Sequence, residues 1–157
     1  MNNNEFYTVR GYQLLKQEDK ILTSAMEDYL EMIYRNAGEK GYMRINALAE
    51  LLNVKPSSAT KMVQKLAELK LLEYQKYGII SLTESGKKYG EFLLFRHNVI
   101  ERFLRSIGIT ENLLKETELI EHNISADTLA KIDLLNNFFE TNPHVLKEYE
   151  KFAEANM

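Results

Sequence analysis

The sequence contains no cysteine among its 157 residues, and this absence excludes several kinds of site. No disulfide can form, and no thiolate can ligate a metal ion. Any metal must therefore be held by histidine, aspartate or glutamate, a donor set that favours manganese, iron or zinc over softer ions. A chain without disulfides also fits the reducing interior of a cell, so we expect a cytoplasmic protein.

Long apolar runs are missing as well. No stretch approaches the roughly 18 consecutive apolar residues that a membrane-spanning helix needs, and the first residues carry no signal-peptide pattern. The hydrophobic fraction is an ordinary 45%, so one or two small domains with a normal core are expected. The sequence therefore predicts a protein that does not bind a membrane.

Acidic residues are in small excess, but the charge is unevenly distributed. The net charge of −3 argues by itself against a nucleic-acid ligand. Between Arg44 and Lys88, however, eight lysines and arginines outnumber four glutamates, so this segment carries +4 and the remainder −7. A basic segment inside an acidic chain indicates two functions in two places.

Three helices are predicted before and within the first part of this basic segment. Ser24 is predicted to cap a helix that Gly38 ends, and "INALAELLN" predicts a short second helix. A tight turn over Asn53–Lys55 follows. Pro56 fits the first position of a third helix, where its missing N–H is harmless, and that helix extends to about Leu69.

The hydrophobic period then changes. "LLEYQKY" and "IISLT" flank Gly78 and predict a β-hairpin. Thr83 is predicted to cap a long helix that Gly108 ends. Two or three further helices are predicted, with starts near Thr110, Ser125 and Pro143. This order of elements is that of a winged helix-turn-helix, in which the hairpin is the wing.

We therefore predict a mostly α fold with one small β-hairpin. Residues 1–22 are expected to form an N-terminal arm, residues 23–90 a winged helix domain, and residues 91–157 an all-α domain.

The third helix has the residues of a DNA-reading helix. In helix-turn-helix folds the first residues of the second motif helix reach base edges in the major groove. Short polar side chains and cations begin this helix, and the wing adds a lysine that suits a phosphate. The candidate contacts are Ser57, Ser58, Thr60, Lys61, Gln64, Lys65 and Lys76. The simpler alternative is that the hydroxyls cap the helix and the lysines solvate it.

The stretch "TELIEHNIS" places two glutamates and a histidine together. Glu118, Glu121 and His122 stand at i, i+3 and i+4, so in a helix all three point the same way. Neighbouring carboxylates repel each other. A bound cation would remove this repulsion, which makes the face a candidate metal site.

Three further residues of ligand type lie on other predicted helices. Asp28 and Glu31 stand at i, i+3 on the first helix, and His97 lies in the long helix. Each has a simpler explanation as well. The acidic pair suits a solvated helix N-terminus, and an isolated histidine among apolar residues suits a core.

Taken together, these motifs resemble the diphtheria toxin repressor (DtxR) family of iron- and manganese-responsive repressors, and most of all its manganese transport regulator (MntR) branch. The resemblance spans about Ser24 to Asn142. It rests on "MEDYLEMIY", "KGYMRINALAELLNVKPSSATKMVQKL", "LTESGKKYG", "FRHNVIERFLRSIG" and "IEHNIS".

The resemblance implies a metal site built from the first helix, the long helix and the "E-x-x-E-H" helix. Its ligands would be Asp28, Glu31, His97, Glu118, Glu121 and His122. The iron branch has Met in place of Asp28 and Cys in place of Glu118, so oxygen donors at both positions favour Mn²⁺, with Fe²⁺ as the alternative. Two ions bridged by a carboxylate are expected, one near Asp28, Glu118, Glu121 and His122 and the other near Glu31 and His97.

The same resemblance implies a switch. Carboxylates gathered in one site repel each other until cations bind. Bound metal would then fix the first helix to the later helices and set the position of the recognition helix. We hypothesise that metal selects a dimer whose recognition helices match half-sites about 34–36 Å apart.

The stretch "TLAKIDLLNNFF" offers more apolar surface than a small domain easily buries. The family forms two-fold dimers through this region, so palindromic operators are expected. The candidate dimer residues are Leu129, Ile132, Leu135, Phe138 and Phe139. Ordinary core packing is the alternative. Residues 23–90 are thus expected to form the DNA-binding domain and residues 91–157 an all-α dimerisation and metal-binding domain.

The sequence departs from the family at two places. We expect no SH3-like third domain of the kind that many iron-branch members have, because the chain leaves no room for it. The wing tip "QKYGII" carries no arginine, which argues against a minor-groove contact there. The rival functions are a helical di-metal enzyme and a metal-free winged-helix regulator or interaction module.

Overall fold

The computed structural model describes residues 22–156, apart from the side chain of Glu39. The predicted N-terminal arm therefore lies, except for Leu22, outside the described residues. Residues 22–94 belong to one compact unit and residues 95–156 to another. None of the helices within residues 22–156 is both long and apolar enough to cross a membrane.

The first unit holds the elements of a winged helix-turn-helix, which confirms the predicted fold. Its helices are α1 (Ser24–Ala37), α2 (Ile45–Leu51), α3 (Pro56–Glu68) and the first half of α4 (Glu84–Ser106). Its strands are β1 (Tyr42–Arg44), β2 (Leu72–Gln75) and β3 (Ile79–Leu82). The second unit holds the rest of α4 together with α5 (Leu113–Glu121), α6 (Ala126–Thr141) and α7 (Pro143–Asn156).

The wing is a three-stranded antiparallel sheet rather than the predicted two-stranded hairpin. Strand β3 lies in the middle, with β1 and β2 on its two sides. Ile79 is paired with Arg44 on one side and with Gln75 on the other. The additional strand has only three residues, too few for an alternating pattern to stand out in the sequence.

The helix-turn-helix follows from local signals. Pro56 occupies the start of α3 because a residue without an N–H suits the first turn. Ala59, Val63 and Leu66 repeat at helical spacing and are completely buried. They place one face of α3 in the core and leave the opposite face to solvent.

Two predicted helix starts are corrected by the structure. Thr23, and not Ser24, caps α1, because its hydroxyl accepts a hydrogen bond from the N–H of Met26 at 3.3 Å. Helix α5 begins at Leu113 rather than near Thr110, since Asn112 adopts a left-handed conformation with φ 55°. The predicted cap at Thr83 is confirmed, because its hydroxyl accepts from the N–H of Gly86 at 3.0 Å.

Helix α6 is joined to α4 in the second unit by polar contacts. The buried Asn136 donates to the carbonyl of Val99 at 2.9 Å. Arg102 forms salt bridges with Asp133 at 2.8 Å and with Glu140 at 2.7 Å. These contacts fix the second half of α4, which carries His97, within its unit.

Candidate metal centre and nucleic-acid interface

A histidine and a glutamate meet inside the second unit. His97 lies on α4 and Glu121 at the end of α5, and Nδ1 of His97 is 3.0 Å from Oε2 of Glu121. His97 is only 3% exposed and Glu121 only 1%. Two ionisable side chains this deeply buried must be paired with each other or with an ion. The structure thus brings together two of the predicted ligands.

The other nitrogen of His97 faces a carboxylate that sequence reasoning did not identify. Nε2 lies 3.3 Å from Oε2 of Glu101, one helical turn later on α4. Hydrogen bonds from Arg105 to Glu101, at 3.0 and 2.8 Å, lower the pKa of that carboxyl and outweigh the opposing effect of burial. The i, i+4 spacing of His97 and Glu101 was a signal that the sequence did contain.

His122 follows directly after α5. Its Nε2 lies 3.7 Å from Oε1 of Glu121, so Glu121 has one predicted histidine ligand near each carboxylate oxygen. Arg96, which is buried on α4, places Nη2 at 3.2 Å from Nδ1 of His122. Because a guanidinium can only donate, Nδ1 of His122 accepts this hydrogen bond. Sequence reasoning missed Arg96, and no spacing rule indicated it.

The remaining predicted ligands differ in exposure. Glu118 lies one turn before Glu121 on α5 and is exposed. In the first unit, Glu31 is 8% exposed and accepts a hydrogen bond from Arg35, and Asp28 is half-buried. The neighbouring Glu27 is also buried, at 9% exposure, and was not a predicted site residue.

These donors fit a divalent transition-metal ion. His97 and Glu121 offer ligand atoms within 4.8 Å of each other, as do Glu121 and His122. Each group combines carboxylate oxygen with imidazole nitrogen, the donors that manganese, iron and zinc accept. The buried carboxylate of Glu121 also gives a cation an opposite charge in a place that water barely reaches.

The predicted DNA-reading residues lie largely on the solvent face of α3. Ser57, Ser58, Lys61, Gln64 and Lys65 are all exposed, as is Lys76 on the wing. Thr60 differs because its hydroxyl donates to the carbonyl of Pro56 at 2.9 Å, within the helix.

The predicted dimer residues divide into core and surface. Leu129 is completely buried within the single chain, and Ile132 and Phe139 are half-buried. Leu135 and Phe138 are 39% and 47% exposed. Leu134, which was not predicted, is 61% exposed. Helix α6 therefore retains an apolar surface beyond what its own unit covers.

Sequence comparisons identify the two halves of the chain independently. Residues 21–80 match the family described as "Iron dependent repressor, N-terminal DNA binding domain". Residues 83–150 match "Iron dependent repressor, metal binding and dimerisation domain". The chain belongs to the iron-dependent repressor family. The predictions of a DNA-binding, metal-binding transcriptional regulator with a dimerisation domain, and not an enzyme, are thereby confirmed.

Curated relatives support the same assignment over most of the chain. An HTH-type transcriptional regulator MntR of Oceanobacillus iheyensis is 46% identical over 130 residues, covering 82% of this chain and 88% of the relative. The MntR of Geobacillus kaustophilus is 42% identical over 135 residues, covering 85% of this chain and 96% of the relative. The resemblance to the MntR branch is confirmed by these relatives.

Solved structures share the fold. A manganese-dependent transcriptional repressor in complex with manganese is 30% identical, with a TM-score of 0.65 over 72% of this chain and 53% of that chain. The manganese regulator SloR is 28% identical, with a TM-score of 0.64 over 72% of this chain and 54% of that chain. The chain thus spans about half the length of these two structures.

Proposed function

We propose that this iron-dependent repressor family member is a cytoplasmic, manganese-responsive repressor that binds duplex DNA as a homodimer and controls genes of metal uptake. The observation that carries the proposal is the buried hydrogen bond between His97 and Glu121, flanked by His122. Its donors are oxygen and nitrogen only, which suits Mn²⁺. Relatives named MntR over most of the chain support the choice of ion.

The proposed ligands follow the resemblance residue by residue. Asp28 and Glu31 belong to α1, His97 to α4, and Glu118, Glu121 and His122 to the segment that contains α5. The proposal is of two Mn²⁺ ions per subunit. Glu121 would contribute to holding both, because its two carboxylate oxygens face two different imidazoles.

Each side chain has a defined task in this centre. A bound divalent cation supplies positive charge that offsets the clustered carboxylates. Glu101 orients His97 through Nε2, which leaves Nδ1 directed toward Glu121. Arg105 keeps Glu101 ionised for that role. Arg96 contacts His122 with the opposite polarity, since its guanidinium donates to Nδ1 of that ring.

Regulation follows from the origin of the ligands. Asp28 and Glu31 lie on the helix that leads into the helix-turn-helix, whereas the other four lie in the metal-binding and dimerisation domain. We propose that ligation by both groups favours the DNA-binding arrangement over the others in the ensemble. Metal can raise the affinity for DNA by at most the factor by which the DNA-binding arrangement binds metal more tightly than the other arrangements do.

The exposed face of α3 is proposed to enter the major groove. Ser57, Ser58, Gln64 and Lys61 are placed to reach bases or backbone, while Lys65 and Lys76 neutralise phosphates. Thr60 is half-buried at this face, and its hydroxyl donates within the helix. A palindromic operator is expected because a two-fold dimer presents two such helices.

One titration tests the proposal and its alternatives. Duplexes are selected from a randomised pool by the full-length protein with Mn²⁺, and the affinity of the enriched duplex is then measured with Mn²⁺, with Fe²⁺ and with a chelator. We expect tight binding with Mn²⁺ and its loss with the chelator. Equal affinity in all three conditions would show a regulator that does not respond to metal. A stronger response to Fe²⁺ than to Mn²⁺ would assign the iron-responsive alternative.

A further inference from the structure

The two histidines of the candidate site differ in the partner of the ring nitrogen that does not face Glu121. For His97 this is Nε2, which lies 3.3 Å from a carboxylate oxygen of Glu101. For His122 it is Nδ1, which lies 3.2 Å from Nη2 of Arg96, a side chain on α4 that is only 3% exposed. One histidine is thus paired with an acceptor and the other with a buried cationic donor.

Only the first pairing is the usual one for a metal ligand. A histidine that binds a metal through one nitrogen ordinarily donates a hydrogen bond from the other, to a carboxylate, a carbonyl or a water. Glu101 can accept such a bond from Nε2 of His97. Arg96 cannot accept one from His122, because a guanidinium has no acceptor atom. The contact between Arg96 and His122 therefore has the wrong polarity for metal binding.

The hydrogen bond from Arg96 determines which nitrogen of His122 carries the proton. A neutral imidazole has one N–H group and one nitrogen with an available lone pair. Because Nδ1 accepts from Arg96, the proton lies on Nε2, the nitrogen that faces Glu121 at 3.7 Å. In this state neither nitrogen can bind a metal ion, since the lone pair of Nδ1 is in use and Nε2 is protonated.

His122 can become a ligand in two ways, and each breaks this hydrogen bond. Ligation through Nδ1 needs the lone pair that Arg96 uses. Ligation through Nε2 moves the proton to Nδ1, where the N–H would face a guanidinium that can only donate. Arg96 must leave Nδ1 in either case. Its positive charge also repels a cation in a place that water barely reaches.

We propose that Arg96 competes with the metal ion for His122 and thereby raises the Mn²⁺ concentration at which the centre fills. In the metal-free protein the guanidinium holds the imidazole in the tautomer that does not bind metal. His122 becomes a ligand only when this hydrogen bond breaks. The inference rests on the proposed function and adds to it a residue that opposes metal binding, whereas Glu101 supports it.

Substitutions at Arg96 test this competition. Arg96→Met keeps a long side chain but removes the donor and the charge, whereas Arg96→Lys keeps both. The probe is Mn²⁺ alone, titrated into the full-length metal-free protein by calorimetry, with circular dichroism to check folding. We expect Arg96→Met to bind Mn²⁺ about ten-fold more tightly, the size of effect that hydrogen-bond partners of metal ligands have. Arg96→Lys and the matched control Arg102→Met, which removes another arginine of α4, should keep wild-type affinity.

A second measurement needs no substitution at Arg96. Long-range proton–nitrogen correlation spectra of the metal-free wild type report which ring nitrogen of each of its three histidines carries the proton. The spectrum of His122→Gln identifies the signals of His122 by their loss. We expect the proton on Nε2 of His122, and a proton on Nδ1 would overturn the inference.

The outcomes that overturn the inference are distinct from those that overturn the function. If the wild type binds no Mn²⁺, the proposed function fails and the role of Arg96 fails with it. If the wild type binds Mn²⁺ and a folded Arg96→Met binds it equally or more weakly, only the role of Arg96 fails. A gain as large in Arg96→Lys or Arg102→Met would also overturn it, since both keep a donor at position 96. If Arg96→Met does not fold, the tautomer of the wild type decides.

Discussion

The imidazole of His97 and the carboxylate of Glu121 are joined by a 3.0 Å hydrogen bond although each is almost completely buried. The two residues are 24 positions apart in sequence and belong to different helices. The pair therefore depends on the packing of α4 against α5, which brings His97 to the end of α5, next to His122.

His97→Ala and Glu121→Ala should abolish the dependence of DNA binding on Mn²⁺, because each removes a proposed ligand. Circular dichroism should show a folded protein in both cases. The measurement is operator affinity as a function of Mn²⁺ concentration. His144→Ala, which removes an exposed histidine of α7, is the control and should respond to Mn²⁺ as the wild type does. An unchanged metal response in both ligand variants would refute the site.

Lys65→Ala should weaken binding to every duplex by a similar factor and reduce the salt slope by about one, since it removes one phosphate contact. The measurement is affinity at several salt concentrations for the selected duplex and for a scrambled one. Lys147→Ala on α7 provides an exposed lysine outside the helix-turn-helix as a control. A loss confined to the selected duplex would instead mean that Lys65 reads bases.

Leu135→Asp and Phe138→Asp should weaken dimerisation, because each places a charge on the exposed apolar face of α6. Sedimentation equilibrium over a range of concentrations measures the effect. Phe152→Asp on α7 is a suitable control, since that residue is 68% exposed but lies outside α6. Dimers as tight as those of the wild type in both variants would exclude this face.

Arg102→Met should destabilise the second unit by about 1–3 kcal/mol, because it removes the salt bridge between Arg102 and the buried carboxylate of Asp133. The lower end of that range is expected, since Arg102 itself is 38% exposed. Denaturant unfolding provides the measurement. Lys131→Met breaks a fully solvated pair with Asp127, with side chains 73% and 76% exposed, and should change stability by less than about 0.5 kcal/mol. Equal effects of the two substitutions would contradict this interpretation.

Gly86→Ala should destabilise the first unit by about 3 kcal/mol or more, because an added Cβ would lie 1.9 Å from the carbonyl oxygen of Leu71. Neither backbone segment can move without disturbing the cap at Thr83, whose N–H donates to that same carbonyl at 3.1 Å. Thermal unfolding monitors the change. Ser85→Ala, one residue earlier on the same helix, adds no atom and should be nearly neutral.

The sequence predicted the parts of the fold that depend on local signals. Pro56 began α3, Thr83 capped α4 and Gly78 lay in the wing, because each of these residues has a strong conformational preference of its own. The choice between Thr23 and Ser24 as the cap of α1 could not be made, since both are good caps and stand side by side. Strand β1 was missed because its identity depends on pairing with β3, a tertiary contact.

In the candidate site, too, residues with a recognisable local pattern were predicted, whereas residues placed by tertiary contacts were not. His97, Glu121 and His122, which lie near one another in the structure, were predicted as ligands because residue type and spacing matched a known family. Glu101 was available from its i, i+4 spacing to His97 and was overlooked. Arg96 could not be predicted, because its contact with His122 depends on how α4 packs against the end of α5, and no local sequence signal gives that packing. Leu129 was predicted at the dimer interface, with core packing as the alternative, because helical spacing does not distinguish core from interface; it is buried within the single chain.

The three-stranded sheet has a consequence for how the first unit unfolds. Strand β1 precedes α2 and β2 follows α3, and both are bonded to β3. The helix-turn-helix is thus closed into a loop whose two ends are fastened at one place. Unfolding that begins at either end of this loop must first break hydrogen bonds to the same central strand, β3. We therefore expect the amide protons of α2, α3 and the wing to exchange as one cooperative unit.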